Sequence, residues 1–277
     1  MSFQTSQMGH SDASAPNSDV EFSLITTIRY DPELKVVCWN DASPWQLFPF
    51  HLERLRDSAS RIGWDVAYHA LSGEDGETLF RSVCIEAVTK HQTTEDDPVA
   101  VRVLLDKGGN LSTTTFSYER RLHDPISLWH MNPLTDPIPH PTALFQILLD
   151  TEQTLSSVFT CNKTSHRVHY ESARRRAGIL DRRDQKEVLL FNEHDEVTEC
   201  SITNVYFWRD ESWITPRTRS GCLPGVARRW ALEHGHAKEG VIRREDVQDG
   251  ELVLISNGLY IAQIGRVDLL QRLNYEP

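Results

Sequence analysis

The segment Met131-Asn132-Pro133-Leu134-Thr135-Asp136-Pro137-Ile138-Pro139-His140-Pro141 carries four prolines in nine positions. Each proline lacks a backbone N–H and holds φ near −65°, so neither a helix interior nor a central strand can run through such a stretch. It predicts an interdomain linker over 131–145, with an N-terminal domain over 21–130 and a C-terminal domain over 146–277. A chain of 277 residues also exceeds the length that one core usually serves. Residues 1–20, rich in Ser, Gln, Asn and Asp, read as a disordered tail.

Periodicity fills in both halves. In the first, Phe22 to Tyr30 and Val99 to Asp106 are β-rich, whereas Gln46 to Ile62 and Glu77 to His91 have helical spacing, as in Leu52, Leu55, Ala59 and Ile62. In the second, Ser165 to Ala177 reads as a helix, and Val188 to Phe191, Asn204 to Trp208 and Ser212 to Thr215 as strands. Pro224-Gly225 opens a further helix towards His234. Glu251 to Ser256 and Tyr260 to Ile264 then read as strands joined at Asn257-Gly258. The fold class is α+β: a small N-terminal α+β domain and a larger, β-rich C-terminal α/β domain.

A net charge of −11 argues against a nucleic-acid binder, which needs clustered Lys and Arg against phosphates. The run Arg174-Arg175-Arg176 and the pair Arg182-Arg183 read as solvated helix ends or loops, balanced by acidic stretches such as Glu95-Asp96-Asp97. Five cysteines, at 38, 84, 161, 200 and 222, form no C-x-x-C pair, so reduced thiols in a cytoplasmic protein are expected. No apolar run reaches membrane-spanning length, and neither a metal-binding histidine pattern nor a G-x-S-x-G elbow occurs.

Two side chains point to a chemistry. Lys163 lies between the apolar-polar stretch Val158-Phe159-Thr160-Cys161 and a helix that Ser165 could cap, a strand-to-helix junction of the kind that faces clefts. Glu199 follows 36 residues later, between β-rich stretches and beside small hydroxyl residues. A Schiff-base lysine and a carboxylate against a pyridinium nitrogen are what a pyridoxal phosphate enzyme needs, although each residue taken alone reads as a surface charge. Leu223-Pro224-Gly225-Val226-Ala227-Arg228 opens a helix whose first N–H groups could meet a phosphate, as any helix start could. Ser256-Asn257-Gly258 could add donors or be a plain hairpin turn. Arg54 flanks the apolar stripe of its helix and could clamp a phosphate or snorkel, and periodicity does not separate it from Arg56 or Arg61.

Taken in order, these segments resemble the fold type IV pyridoxal-phosphate enzymes, the group that holds branched-chain and D-amino-acid aminotransferases and aminodeoxychorismate lyase. The matching pieces are Leu24 to Arg29, His51 to Leu55 with Ser58-Ala59, Lys163 to Arg167 with Tyr170, Glu199 to Asn204, Thr215-Pro216, Leu223 to Arg228 and Ser256-Asn257, spanning about residues 22–266. The resemblance implies pyridoxal 5'-phosphate as cofactor, Lys163 as the Schiff-base lysine and Glu199 at the pyridine nitrogen. It also implies phosphate contacts from Arg54, Val226, Ala227 and Ser256, with Arg167, Asn204 and Asn257 lining the cofactor and Thr27 assisting catalysis. Arg167, four residues after the lysine, is similar to the lyase pattern, where branched-chain aminotransferases carry a tyrosine one position further on.

The resemblance therefore implies a carbon-oxygen lyase that makes p-aminobenzoate for folate synthesis, acting on a small molecule as a homodimer. An aminotransferase on branched-chain or D-amino acids is the alternative, and a non-catalytic protein of this fold a second one. The chain departs from the family at Ala227, where a threonine is frequent, so only a backbone contact is implied there. The family's usual leading strand has no counterpart in residues 1–20, as in lyase domains fused behind a synthase subunit.

Overall fold

The computed structural model describes residues 20–270 apart from 92–93, 95, 121–124, 140–143 and 182–183. The tail over 1–19, Glu95, the pair Arg182-Arg183 and the middle of the predicted linker lie outside the described residues. The first unit runs β1 (Leu24–Tyr30), α1 (Phe48–Arg61), α2 (Asp65–Ala70), α3 (Gly73–His91), β2 (Val99–Leu105) and β3 (Leu111–Ser117). Its sheet has the order β1-β2-β3, antiparallel throughout, with Leu24 opposite Leu105 and Tyr30 opposite Val99.

Strand periodicity explains what β1 does. Leu24 and Ile28 are fully buried and pack with Leu52, Leu55, Phe80 and Val101, while Ile25 and Thr27 belong to the other face. Thr26 lies on the core side although it is polar, and the stripe of α1 that meets it includes His51 and Arg54 besides Leu52 and Leu55. Placing three polar residues in an apolar interface costs stability unless they are bonded, and here Thr26 bonds to both of the others, while His51 Nε2 and Arg54 Nε have no partner among the described residues.

The second unit runs α4 (Ser127–His130), β4 (Phe145–Leu149), α5 (Val158–Cys161), α6 (Val168–Arg176), β5 (Lys186–Phe191), β6 (Val197–Cys200), β7 (Asn204–Arg209), β8 (Ser212–Pro216), α7 (Val226–Glu233), β9 (Lys238–Gly240), β10 (Leu252–Ser256) and β11 (Gln263–Asp268). The strands form a mixed sheet ordered β6-β5-β4-β11-β10-β7-β8-β9. Both faces are covered: Val205, Phe207, Val253 and Ile255 enter one core, and Tyr206, Leu254, Trp213 and Trp230 the other. This two-sided burial is why β7 and β10 read as continuous apolar runs.

Several expectations are corrected. Val158–Cys161 is a short helix, not an extended lead-in, because Ser157 and Thr160 form a capping box around its start. Ser165 caps nothing: α6 begins at Val168 with Arg167 as its uncapped N-cap, and Ser165 instead accepts a hydrogen bond from the Ser23 N–H. The last strand starts at Gln263, since Asn257 Oδ1 accepts from the Leu259 and Tyr260 N–H groups and holds a longer turn. Phe145, placed in the linker, opens β4, and Met131 and Ile138 of the proline-rich segment pack into a core. Nor is Arg174-Arg175-Arg176 uniformly solvated. Successive helical residues point about 100° apart. Arg174 is therefore buried against Ser201 Oγ at 3.0 Å, and Arg176 pairs with Asp150 at 2.7 Å. Arg175 alone is exposed.

The two units meet at the lysine. The free edge of β1 takes up the segment after α5: Ile25 N–H donates to Lys163 O and Ser165 N–H to Ser23 O, both at 2.8 Å, with Leu24 bridged to Thr164. Residues 163–165 thus act as a short fourth strand beside the small sheet.

Candidate active site

A cavity of about 250 Å³ lies at this junction, walled by β1, β2 and α1 on one side and by β6, β7 and the loops before α7 and after β10 on the other. Lys163 lines it. Enclosure by protein disfavours its ammonium form, and the positive charges of Arg167 and Arg54 do so further, outweighing Glu199; the amine's pKa is held well below its ordinary value. An amine shifted in this direction gives up its proton more readily than an ordinary lysine and is the better nucleophile or base for it.

Glu199 also lines the cavity. Burial lifts its carboxyl to about 7, partly offset by hydrogen bonds from Tyr170 and the Leu223 N–H. Both donors reach Oε1, at 2.6 Å and 3.3 Å, so Oε2 is left for a further donor. Tyr170, on α6, is fixed in turn by Arg167, whose guanidinium lies 4.6 Å from the ring centre and donates to Ser201 O at 2.7 Å. Arg167 thereby acts through Tyr170 on Glu199.

Arg54 is buried and its pKa is lowered by burial to about 10, which leaves it cationic. It donates to Thr26 Oγ1 at 2.6 Å, and Thr26 Oγ1 is 2.6 Å from His51 Nδ1. Burial, and then Arg54, keep His51 neutral. Thr26 accepts from Arg54 and donates to Nδ1, which puts the imidazole proton on Nε2. Among the described residues Arg54 has no carboxylate partner and its Nε bonds to nothing. An uncompensated buried cation calls for an anion.

The opening of α7 can supply more of the anion's partners. It has no side-chain cap, so its first N–H groups are open. Gly225, its N-cap, lines the cavity, whereas the side chains of Val226 and Ala227 are buried in the core, leaving only their backbone for a ligand. Asn204, also in the lining, donates to Leu223 O at 2.9 Å and sets Oδ1 where a β-carbon on Gly225 would lie, 2.0 Å away. Asn204 therefore shapes the loop. Ser256 Oγ is 2.7 Å from the Tyr206 hydroxyl and Asn257 is engaged in its own turn, both at the cavity wall. Thr27 lines the cavity opposite Arg102 in the β1–β2 register.

All the candidate residues except Val226 and Ala227 thus appear in one lining. The sequence reading missed Arg102, although a lone arginine in Val99-Ala100-Val101-Arg102-Val103 is a period-2 signal for a face turned away from the core. It gave no role to Tyr170, Thr26 or His51, whose bonding is tertiary. Among the described residues no group of histidine, cysteine and carboxylate side chains could hold a metal, and no helix is long and apolar enough to cross a membrane.

Several known proteins are similar to this chain. A "Putative aminodeoxychorismate lyase" of Schizosaccharomyces pombe is 30% identical over 241 residues, 86% of each protein. The "Aminodeoxychorismate lyase" of Saccharomyces cerevisiae is 32% identical over 133 residues, 43% of this chain and 36% of the relative. A solved structure titled as a "Putative amino-acid aminotransferase" from Mesorhizobium loti superposes with a TM-score of 0.66 at 25% identity, covering 89% of this chain and all of that one. The family model described as amino-transferase class IV matches residues 24–267, and the chain belongs to that family.

Proposed function

We propose that this protein is a pyridoxal-phosphate-dependent aminodeoxychorismate lyase, converting 4-amino-4-deoxychorismate to p-aminobenzoate and pyruvate. The observation that carries the cofactor is the convergence on one cavity of a buried arginine without a carboxylate, an uncapped helix start, a lysine whose ammonium form is disfavoured and a carboxylate with one oxygen to spare. These suit a phosphate, a carbonyl carbon and a protonated ring nitrogen in turn. The yeast relatives' names and Arg167 favour the lyase among the family's reactions.

Arg54 and the N–H groups opening α7 would hold the phosphate, Lys163 the carbonyl carbon and Glu199 Oε2 the ring nitrogen. Bound there, the cofactor would act as an electron sink for charge developing at the substrate carbon that bears the amine. Lys163, whose ammonium form its enclosure disfavours, would be the base that takes the proton from that carbon. The net reaction needs no oxidant, reductant or water: one proton is moved, the C–O bond to the enolpyruvyl group breaks and the ring becomes aromatic. Glu199, ionised beside a ring cation, and Tyr170 behind it keep the negative end of the site fixed. Thr27, at the wall, would orient the substrate. The proposal includes a homodimer, to be checked by light scattering.

The test is direct. The purified protein loaded with the cofactor should be yellow, and borohydride should fix the cofactor to Lys163. It should also release p-aminobenzoate from aminodeoxychorismate, with Lys163→Ala slowing this on the order of 10³-fold. The likeness to the Mesorhizobium structure keeps an aminotransferase as the second reading. Conversion of the cofactor to its amine form by D- or L-amino acids, with no p-aminobenzoate formed, would establish that reading instead.

A further inference from the structure

A second groove adjoins the catalytic cavity and shares Ile25, Arg102 and Arg167 with it. One wall is the outer face of the β1–β2 sheet, including Arg102. The other is one face of α6, where Val168, Glu171, Ser172 and Arg175 recur at i, i+3, i+4 and i+7. Arg102, Arg167 and Arg175 line it together with one carboxylate residue, Glu171. Glu171 is spoken for, since it lies 3.7 Å from Arg167. Arg175 is exposed at the outer end, about 10 Å along the helix from Val168. Its neighbours in the run are both committed elsewhere, Arg174 to Ser201 and Arg176 to Asp150.

We propose that this groove is a carboxylate-binding extension of the active site, in which Arg175 takes a substrate carboxylate remote from the reacting amine. The inference rests on the lyase reading for the identity of that carboxylate. Once a cofactor fills the inner cavity, the remainder of a substrate whose amine reaches Lys163 must extend into contiguous space, and the groove provides it. In aminodeoxychorismate the enolpyruvyl ether is on the carbon next to the amine, whereas the ring carboxylate is para to it. The enolpyruvyl carboxylate therefore falls at the inner end, beside Arg102 and Arg167. The ring carboxylate points outwards, along α6, to Arg175. Arg175, exposed on the groove and in no ion pair among the described residues, offers the remote carboxylate a partner that monocarboxylate amino acids leave unused, so Arg175 is a specificity-determining residue. The groove's polar Ser172 and open rim suit a carboxylate that stays partly hydrated.

The product keeps the ring carboxylate and the para amine, which gives a binding test that needs no turnover. Cofactor-loaded wild-type protein should bind 4-aminobenzoate at least tenfold more tightly than aniline, measured by calorimetry. Arg175→Ala should erase that preference, Arg175→Lys restore part of it and Arg175→Glu reverse it. In turnover, Arg175→Ala should raise KM for aminodeoxychorismate about tenfold with little change in kcat. Equal affinity of wild type for the two ligands, or a preference that survives in Arg175→Ala, overturns the subsite. A wild-type protein that forms no p-aminobenzoate yet shows the Arg175-dependent preference overturns the lyase reading and retains the subsite. Because Arg175 is exposed, its variants should fold normally.

Discussion

Burying Glu199 sets up a conflict at the scale of single residues that only a cationic partner resolves. Its carboxyl has a pKa of about 7 in the folded protein against an ordinary 4.5. An acid with a raised folded pKa keeps its proton more tightly when folded, so it costs nothing below about pH 4.5. The folded state is then penalised as pH rises towards 7, by up to about 3 kcal/mol above it. Cofactor-free Glu199→Gln should therefore gain about 2–3 kcal/mol on wild type between pH 5 and pH 8, read from urea unfolding at both. Glu187, raised to about 7 by burial as well, shifts both proteins alike and cancels. A constant difference between the two pH values would exclude this account. Arg54 should behave in parallel. Arg54→Met removes a buried cation without a carboxylate, stabilising the cofactor-free protein by about 1–2 kcal/mol while weakening cofactor affinity at least tenfold. At this scale the sequence offered chemical types without placement: Lys163 and Glu199 were legible as a possible pair. Arg54 could not be told from Arg56 and Arg61, because only the meeting of α1 with Thr26 separates them.

Among the elements, the site depends on close approaches that permit no side chain. The loop after β10 passes under β1 at Gly258, where a β-carbon would sit 2.3 Å from Thr27 O and 2.9 Å from His51 Cε1. At Gly225 the obstacle is Asn204 Oδ1, at 2.0 Å. Gly225→Ala should cost about 1–3 kcal/mol by overpacking and loosen cofactor binding, since the start of α7 must move. The cause is specific: in an Asn204→Ala background the same substitution should cost much less, a coupling that a double-mutant cycle on unfolding free energy measures. Strictly additive effects would place the strain elsewhere. Strands with long alternating or apolar runs, such as β1 and β7, were readable because period 2 survives in the sequence. The four-residue α5 was not, since one turn has no periodicity and its capping box, Ser157 to Thr160, is shorter than any pattern window. The pairing of β1 with Lys163–Ser165 was equally hidden, as it joins residues some 140 apart by backbone bonds that no side chain advertises.

The whole molecule places its site at the seam of its two sheets, and the proline-rich segment falls in sequence between the last strand of one and the first of the other. Neither unit holds the constellation alone: Thr27, Arg54 and Arg102 come from the first, and Lys163, Glu199 and the start of α7 from the second. A cofactor bound there contacts both, so its binding free energy should act on their docking as well as on each fold. At a free concentration of 100 times Kd it adds about 2.7 kcal/mol. Calorimetry should then show the unfolding of both units shifted upwards together, as one transition, on cofactor addition. Arg54→Met should shrink the shift at the same cofactor concentration for the entire protein, although the residue belongs to the small unit. An upward shift confined to one of two resolved transitions would mean that the larger unit holds the cofactor unaided, and the seam would then serve the substrate alone.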